Sequence, residues 1–252
     1  MSDKVLIITG GSRGIGAATA LLAAERGYGV VVNYAANAAA AEAVCGAIHA
    51  HGGAAVAVRG DVSLEADIDH IFAAADRMGT LAGLVNNAGV LDVVARVEDF
   101  DLARLTRMFA INTLGTMLCA GRAVKRMSTR HGGKGGSIVN VTSAAAKLGA
   151  PGTYVDYAAA KGAVDSFTVG LALEVAGEGI RVNGVRPGII DTDIHASGGI
   201  PDRAAQMASS LPIPRPGTAE EVARAIVWLL SDEASYTTGS VINVTGGRGI
   251  AP

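Results

Sequence analysis

The stretch "VLIITGGSRGIG" (residues 5–16) decides how this chain folds. Its first five residues are apolar or β-branched without a polar interruption, which predicts a strand buried on both faces. From about Ile15 to Arg26 the residues suit a helix. Between the two lies a turn whose glycines, Gly10, Gly14 and Gly16, follow a G-x-x-x-G-x-G spacing. A turn without Cβ atoms, leading from a first strand into a first helix, lets backbone N–H groups and the helix N-terminus approach a pyrophosphate. The turn therefore predicts a dinucleotide site, with Gly10, Ser12, Arg13, Gly14, Ile15 and Gly16 as its phosphate end.

The same alternation continues along the chain. "VVVN" (30–33) leads to a helix over Ala38–His51, and "AAVAVRGD" (54–61) leads to one over Leu64–Met78. "LAGLVNNAG" (81–89) precedes a long helical region within 99–130, and "SIVNVTS" (137–143) precedes a helix over Tyr157–Glu178. "IRVNGVRPG" (180–188) and "SVINVTGG" (240–247) complete a set of about seven strands. Continuous apolar strands alternating with helices predict an α/β fold, a doubly wound, Rossmann-like parallel sheet with helices on both faces. No linker or fixed-period repeat divides the chain, so residues 1–252 are expected to form one domain. Residues 144–156 and 189–217 hold most of the prolines and follow strands directly, which makes them the expected walls and lid of a pocket.

Composition agrees with a large buried core: half the residues are hydrophobic and only 4% aromatic, as Ala-rich helices packed close to Val/Ile strands require. The formal charge of -2 argues against nucleic acid as a partner. Lys125, Arg126, Arg130 and Lys134 form a local basic run that reads as a solvated helix end. Cys45 and Cys119 fit no CxxC pattern and are expected to be buried free thiols in a reducing compartment. No signal peptide or membrane span is expected, and the cytoplasm is the expected location. The five histidines form no HExxH or comparable cluster, so no metal site is expected.

Dinucleotide binders that take NAD usually carry an acid at the end of the second strand, hydrogen-bonded to the ribose 2′-OH. Here Asn33, Tyr34 and Ala35 occupy that region, while Arg13 lies inside the glycine turn. A guanidinium there suits a 2′-phosphate, so NADP(H) is expected in preference to NAD(H), with NAD(H) still possible. Asp61 and Val62, ending the third strand, are placed to contact the adenine ring; Asp61 is equally placed to cap the helix after it.

Tyr157 and Lys161 lie four residues apart, on one face of a predicted helix. A proton must move when a hydride moves between an alcohol and a carbonyl, and the group that carries it works best with a pKa near the ambient pH. Bringing a phenol from about 10 towards 7 takes roughly 4 kcal/mol of preferential phenolate stabilisation. A neighbouring ammonium, with the positive ring of an oxidised nicotinamide, is expected to supply it. Ser143, at the end of a strand, is placed to hold a carbonyl oxygen. Asn112, within "FAINTLG", is placed to hold a water that relays protons from Lys161.

Together "TGGSRGIG", "NNAG" (86–89), Asn112, Ser143, "YAAAK" (157–161) and "RPG" (186–188) followed by Thr192 resemble the short-chain dehydrogenase/reductase superfamily, over essentially the whole chain. The resemblance implies a catalytic tetrad of Asn112, Ser143, Tyr157 and Lys161. It implies that Asn87, Ala88 and Gly89 lie beside the cofactor, and that Pro187, Gly188, Ile190 and Thr192 line its nicotinamide side. It also implies a homotetramer built through long helices and the last strand. "LGAPGTYVDYAAAKGAVDSFT" is similar to a bacterial group labelled glucose-1-dehydrogenase-like or compared with 3-oxoacyl-carrier-protein reductases. The substrate is thus expected to be a small alcohol or ketone, with a sugar and a 3-oxoacyl thioester both open. A non-catalytic redox sensor is the rival expectation. His195, in the lid, reads either as a solvent-exposed loop residue or as a substrate contact, and Tyr154 has similar standing as a pocket-wall residue. The substrate loops at 91–98, 144–156 and 189–210 read as small and apolar, with few directional groups.

Overall fold

The structure, a computed structural model, describes residues 3–249, leaving aside the side chain of His195. Strand β1 (Lys4–Ile8) sends Val5 and Ile7 into one apolar layer and Leu6 and Ile8 into the other, all fully buried. Both faces of the strand are covered, which is why its sequence shows no polar alternation. Strands β2 (Gly29–Tyr34), β3 (Ala55–Arg59), β4 (Thr80–Asn86), β5 (Gly136–Val141), β6 (Ile180–Pro187) and β7 (Val241–Val244) join it. All pair in parallel, in the order β3-β2-β1-β4-β5-β6-β7.

Helices α1 (Gly14–Glu25) and α2 (Ala38–Ala50) cover one face, with Ala20, Ala23, Ala41 and Ile48 turned inward. The other face takes α3 (Glu65–Met78), α5 (Gly115–Met127) and α7 (Val155–Val175). Cys45 and Cys119 are buried free thiols on opposite faces of the sheet, so no bond joins them. From β1 the chain runs outward to β2 and β3, then returns to β4 on the other side. The carboxyl ends of β1 and β4 flank the crevice that this reversal opens.

Several boundaries differ from the sequence expectation. The region 99–130 is two helices, α4 (Leu102–Phe109) and α5, joined by a π-helical turn at Ala110–Leu114. Helix α7 begins at Val155, which places Tyr157 in its first turn, and gives way to a 3₁₀ turn over Ala176–Glu178. A further helix, α10 (Ala219–Leu230), lies beside α1 and was not expected. Its signal is present: Thr218 and Glu221 form a reciprocal capping box ahead of an apolar run. The segment 189–217 is not simple loop; it holds α8 (Ile194–Ser197) and α9 (Arg203–Met207), and an Ile190–Gly217 bridge closes its base. Between β5 and α7, a single turn, α6 (Ala145–Leu148), lies over the sheet's carboxyl edge. Of the basic run, Arg126 pairs with Asp76 at 2.8 Å and Arg130 with Glu178 at 3.8 Å. Among the described residues no helix is long and apolar enough to cross a membrane.

Candidate active site

The glycine turn is held from both sides by asparagines. Asn87 Nδ2 donates to the carbonyls of Thr9 and Gly10, each at 2.9 Å. On the other side Gly10 N–H donates to Asn33 Oδ1 at 3.2 Å, and Asn33 Nδ2 donates to Gly60 O at 2.9 Å. These bonds fit only a backbone that comes very close to its neighbours. A Cβ on Gly16 would lie 2.4 Å from Gly10 O and 2.6 Å from Asn87 Nδ2. Gly10 and Gly14 adopt φ of +61° and +52°, the left-handed region that glycine enters at no steric cost. Helix α1 starts at Gly14 with no side-chain cap and no acid in its first turn, so its free N–H groups and dipole are left for an external anion. The residues therefore fit a pyrophosphate.

A cavity of about 380 Å³ lies over this turn, walled by Ser12, Arg13, Tyr34, Ala35, Val62 and Ala88 among others. Asn33 and Asp61 border it too, each with side-chain atoms engaged in holding nearby backbone. Asn33 is a brace, and Asp61 Oδ1 accepts from Ser63 N–H at 2.9 Å and Ser63 Oγ at 2.7 Å. Asp61 so closes the turn ahead of α3, whose N-cap is Leu64. Arg13 is exposed, its Nη1 4.0 Å from Asp193 of the lid.

The second cavity, about 140 Å³, adjoins the first and shares Ile15, Asn87, Gly89, Thr192 and Ile194 with it. Ser143, Tyr157, Lys161, Pro187, Gly188 and Ile190 line it. Lys161 Nζ donates to Val141 O, the last residue of β5, at 2.8 Å, and sits 5.8 Å from the centre of the Tyr157 ring. Ser143 follows two residues later; its hydroxyl accepts from Ala145 N–H at 3.1 Å and lies near the Tyr157 phenol, whose ionised form it favours. The buried ion pair of Arg104 (α4) with Asp156, 2.7 Å, holds the first turn of α7, and Asp156 Oδ1 accepts Tyr157 N–H at 2.9 Å.

Asn112 lies in the π turn and borders neither cavity. Its Oδ1 accepts Val90 N–H and its Nδ2 donates to Val90 O, each at 3.1 Å, with a further bond to Met108 O at 3.0 Å. The side chain is thus committed to holding the chain beyond Gly89. At Gly89 a Cβ would stand 2.8 Å from Asn112 Oδ1 and 3.6 Å from Lys161 Nζ, so only glycine leaves that gap open.

A family model described as enoyl-(acyl carrier protein) reductase matches residues 10–248. The chain is 54% identical over 245 residues to an uncharacterized oxidoreductase, YgfF, of Escherichia coli K12, covering 97% of this chain and 99% of that protein. It is 38% identical over 253 residues to a 3-oxoacyl-[acyl-carrier-protein] reductase of Synechocystis, covering 98% of this chain and 97% of that one. A solved short-chain dehydrogenase/reductase of Serratia marcescens, a double mutant, superposes with a TM-score of 0.90 at 33% identity, covering 98% of each chain. This chain belongs to the short-chain dehydrogenase/reductase family. It is an oxidoreductase of a family whose members use NAD(P)(H).

In this short-chain dehydrogenase/reductase burial dominates the electrostatics of Tyr157 and Lys161. Burial pushes the Tyr157 phenol up to about 12, and the neighbouring Ser143 hydroxyl offsets only part of that. Burial also brings Lys161 down from 10.5 to about 8, against a smaller opposing effect of Asp165. A lysine that is itself costly to charge is a weak source of phenol acidity, so Lys161 alone does not bring Tyr157 towards neutrality.

Tyr154 is buried and its hydroxyl donates to Gly198 O of the lid at 2.8 Å; the Arg203 guanidinium stacks over its ring at 4.9 Å. It is a pocket wall and also ties the start of α7 to the 189–217 segment. The side chain of His195 falls outside the described residues. Of the 91–98 loop only Leu91 reaches the cavity. The sequence reading missed Arg203 and Arg248, both on its wall. Arg203 stood in the lid segment, and Arg248 follows β7, whose place beside β6 brings its carboxyl end to the same mouth.

The Lys161 shift carries a stability signature. Because its pKa is lower folded than unfolded, the unfolded chain binds the extra proton between about 8 and 10.5, and stability rises with pH across that window. Below pH 8 the buried ammonium costs about 3 kcal/mol. Lys161→Met removes that cost, while its loss of the Val141 bond acts equally at all pH. Urea midpoints should show the variant gaining on the wild type at pH 7 and the advantage shrinking by pH 10; a pH-independent difference would contradict the burial of a charge.

Proposed function

We propose that the chain is an NADP(H)-preferring oxidoreductase that interconverts a small-molecule alcohol and its carbonyl, with Tyr157 as general acid and base. The observation that carries this reading is that Tyr157, Ser143 and Lys161 share the wall of the smaller cavity, where it meets the dinucleotide cleft. NAD(P)(H), when bound, supplies or accepts the hydride. In the reducing direction Ser143 Oγ donates a hydrogen bond to the carbonyl oxygen, and Tyr157 Oη gives that oxygen a proton as negative charge develops on it. One ketone, one hydride and one proton so become one alcohol; oxidation runs the same proton back to Tyr157. Lys161, charged over much of the working pH range below about 8, stabilises the phenolate that remains. Asn112 acts through the Val90 backbone, as a positioning residue.

The rest of the cleft supports the cofactor preference. No carboxylate stands at the end of β2, where Asn33 is spent on bracing, and Arg13 is left with a single distant partner in Asp193. The segment 189–217 serves as the lid over the substrate, fastened through Tyr154. A homotetramer belongs to the same proposal: α7 leaves Val169 and Leu173, one turn apart, exposed on its outer face. A redox sensor has no use for a buried lysine that costs stability beside two hydroxyls, which favours turnover.

Replacing Tyr157 by Phe should lower kcat by about 10²–10⁴-fold while the Kd for NADPH stays within a few-fold. Steady-state kinetics on a ketone panel, with cofactor binding followed by fluorescence, checks this; activity retained in the variant would overturn the assignment. Arg13→Ala should raise the Kd for NADPH by at least tenfold and leave NADH nearly unchanged, since a charge-assisted contact is worth about 1.5–3 kcal/mol. Equal weakening of both cofactors would contradict the preference.

A further inference from the structure

We infer that the substrate is a compact oxo or hydroxy acid whose carboxylate is received by Arg203 and Arg248. This rests on the proposed alcohol/carbonyl chemistry and names its substrate class. The two arginines reach the small cavity from separate elements, Arg203 as the first residue of α9 in the lid and Arg248 from the turn after β7. They border the cavity that holds Tyr157 and not the dinucleotide cleft, so they are placed for substrate and not for a cofactor phosphate.

No aspartate or glutamate lines that cavity, and among the described residues neither guanidinium has a carboxylate within 4.0 Å. The Arg203 guanidinium carbon stands over the Tyr154 ring, 4.9 Å from its centre, a contact that leaves its N–H groups free to donate. Arg248 is held below the ordinary arginine range, first by burial and then by the charge of Arg203. Two like charges partly withdrawn from water, without a counter-ion, form a receptor for a planar anion that takes charge-assisted bonds from both.

The remaining walls give the size and character of the rest of the molecule. Leu91, Leu148, Ile189 and Ile190 are apolar, and the volume of about 140 Å³ is close to that of a cavity that accepts benzene. Pro187, Gly188, Ile190 and Thr192 give part of this volume to the nicotinamide, so the substrate's body between the arginines and the Ser143–Tyr157 pair is at most about one six-membered ring. A long acyl chain does not fit, and a neutral polyol would leave the cationic end unanswered.

The test compares 4-oxocyclohexanecarboxylate with its methyl ester in the wild type, Arg203→Met, Arg248→Met and Arg248→Lys, using kcat/KM with NADPH and NADH. A second readout, the rise in Tm on adding each compound, needs no turnover and shows that each variant folds. The wild type should favour the acid by about tenfold or more, the range of one charge-assisted contact. Each Met variant should bring the ratio towards one, and Arg248→Lys should recover part of it. If neither compound is reduced but the acid alone raises the Tm of the wild type and not of the Met variants, the proposed reaction fails and the anion site stands. Equal treatment of acid and ester by the wild type in both readouts, or a preference unchanged in both Met variants, overturns the inference.

Discussion

One hydrogen bond joins the two halves of the reactive site. Lys161 Nζ donates to Val141 O at 2.8 Å, tying α7 to the end of β5. Tyr157 stands one turn before that lysine, and Ser143 two residues beyond that carbonyl. The bond therefore helps to bring the two hydroxyls to one cavity wall, together with the Asn140 Nδ2 to Thr168 Oγ1 bond at 2.9 Å further along the same helix and strand. It places the lysine amine, charged or neutral, beneath the sheet's carboxyl edge, and burial there is what brings Lys161 down to about 8. Geometry and electrostatics of the site are consequences of the same contact.

The dinucleotide end is built on a different economy, backbone approach without charge burial. Asn33 and Asn87 grip the glycine turn through neutral hydrogen bonds, and α1 keeps its N–H groups unspent because nothing caps them. Positive potential is thus available at the turn from the helix and from Arg13, while the small cavity draws its own from Lys161, Arg203 and Arg248. The small cavity is therefore cationic, whereas the dinucleotide cleft sets Arg13 and the helix end against Asp61 and Asp193.

Much of this could be read before any coordinates. The uninterrupted runs in β1, β2 and β5 reflect strands that face apolar layers on both sides, so their period disappears and their buried nature shows directly. Gly10, Gly14 and Gly16, and Tyr157 with Lys161, sit at spacings that a strand–turn–helix and a single helix turn dictate. What could not be read depends on neighbours distant in sequence. That Asn33 braces the turn follows from β2 lying between β1 and β3. That Asn112 serves Val90 follows from a π turn, which no residue pattern marks. The direction of the Tyr157 shift is a matter of burial, and a spacing of four residues carries no information about water. Arg248 was hidden for the same reason, since only the pairing of β7 with β6 brings the C-terminal turn to the site.

The account's central claim is that the Tyr157 phenol is held back until positive charge joins Lys161 in the cleft. Titrating Tyr157 by NMR of ¹³Cζ-labelled tyrosine, with and without saturating NADP⁺, tests it directly. Free protein should give a value near 12, and the loaded protein one below the 10 of an ordinary tyrosine. A phenol that stays near 12 with the dinucleotide bound would contradict the account.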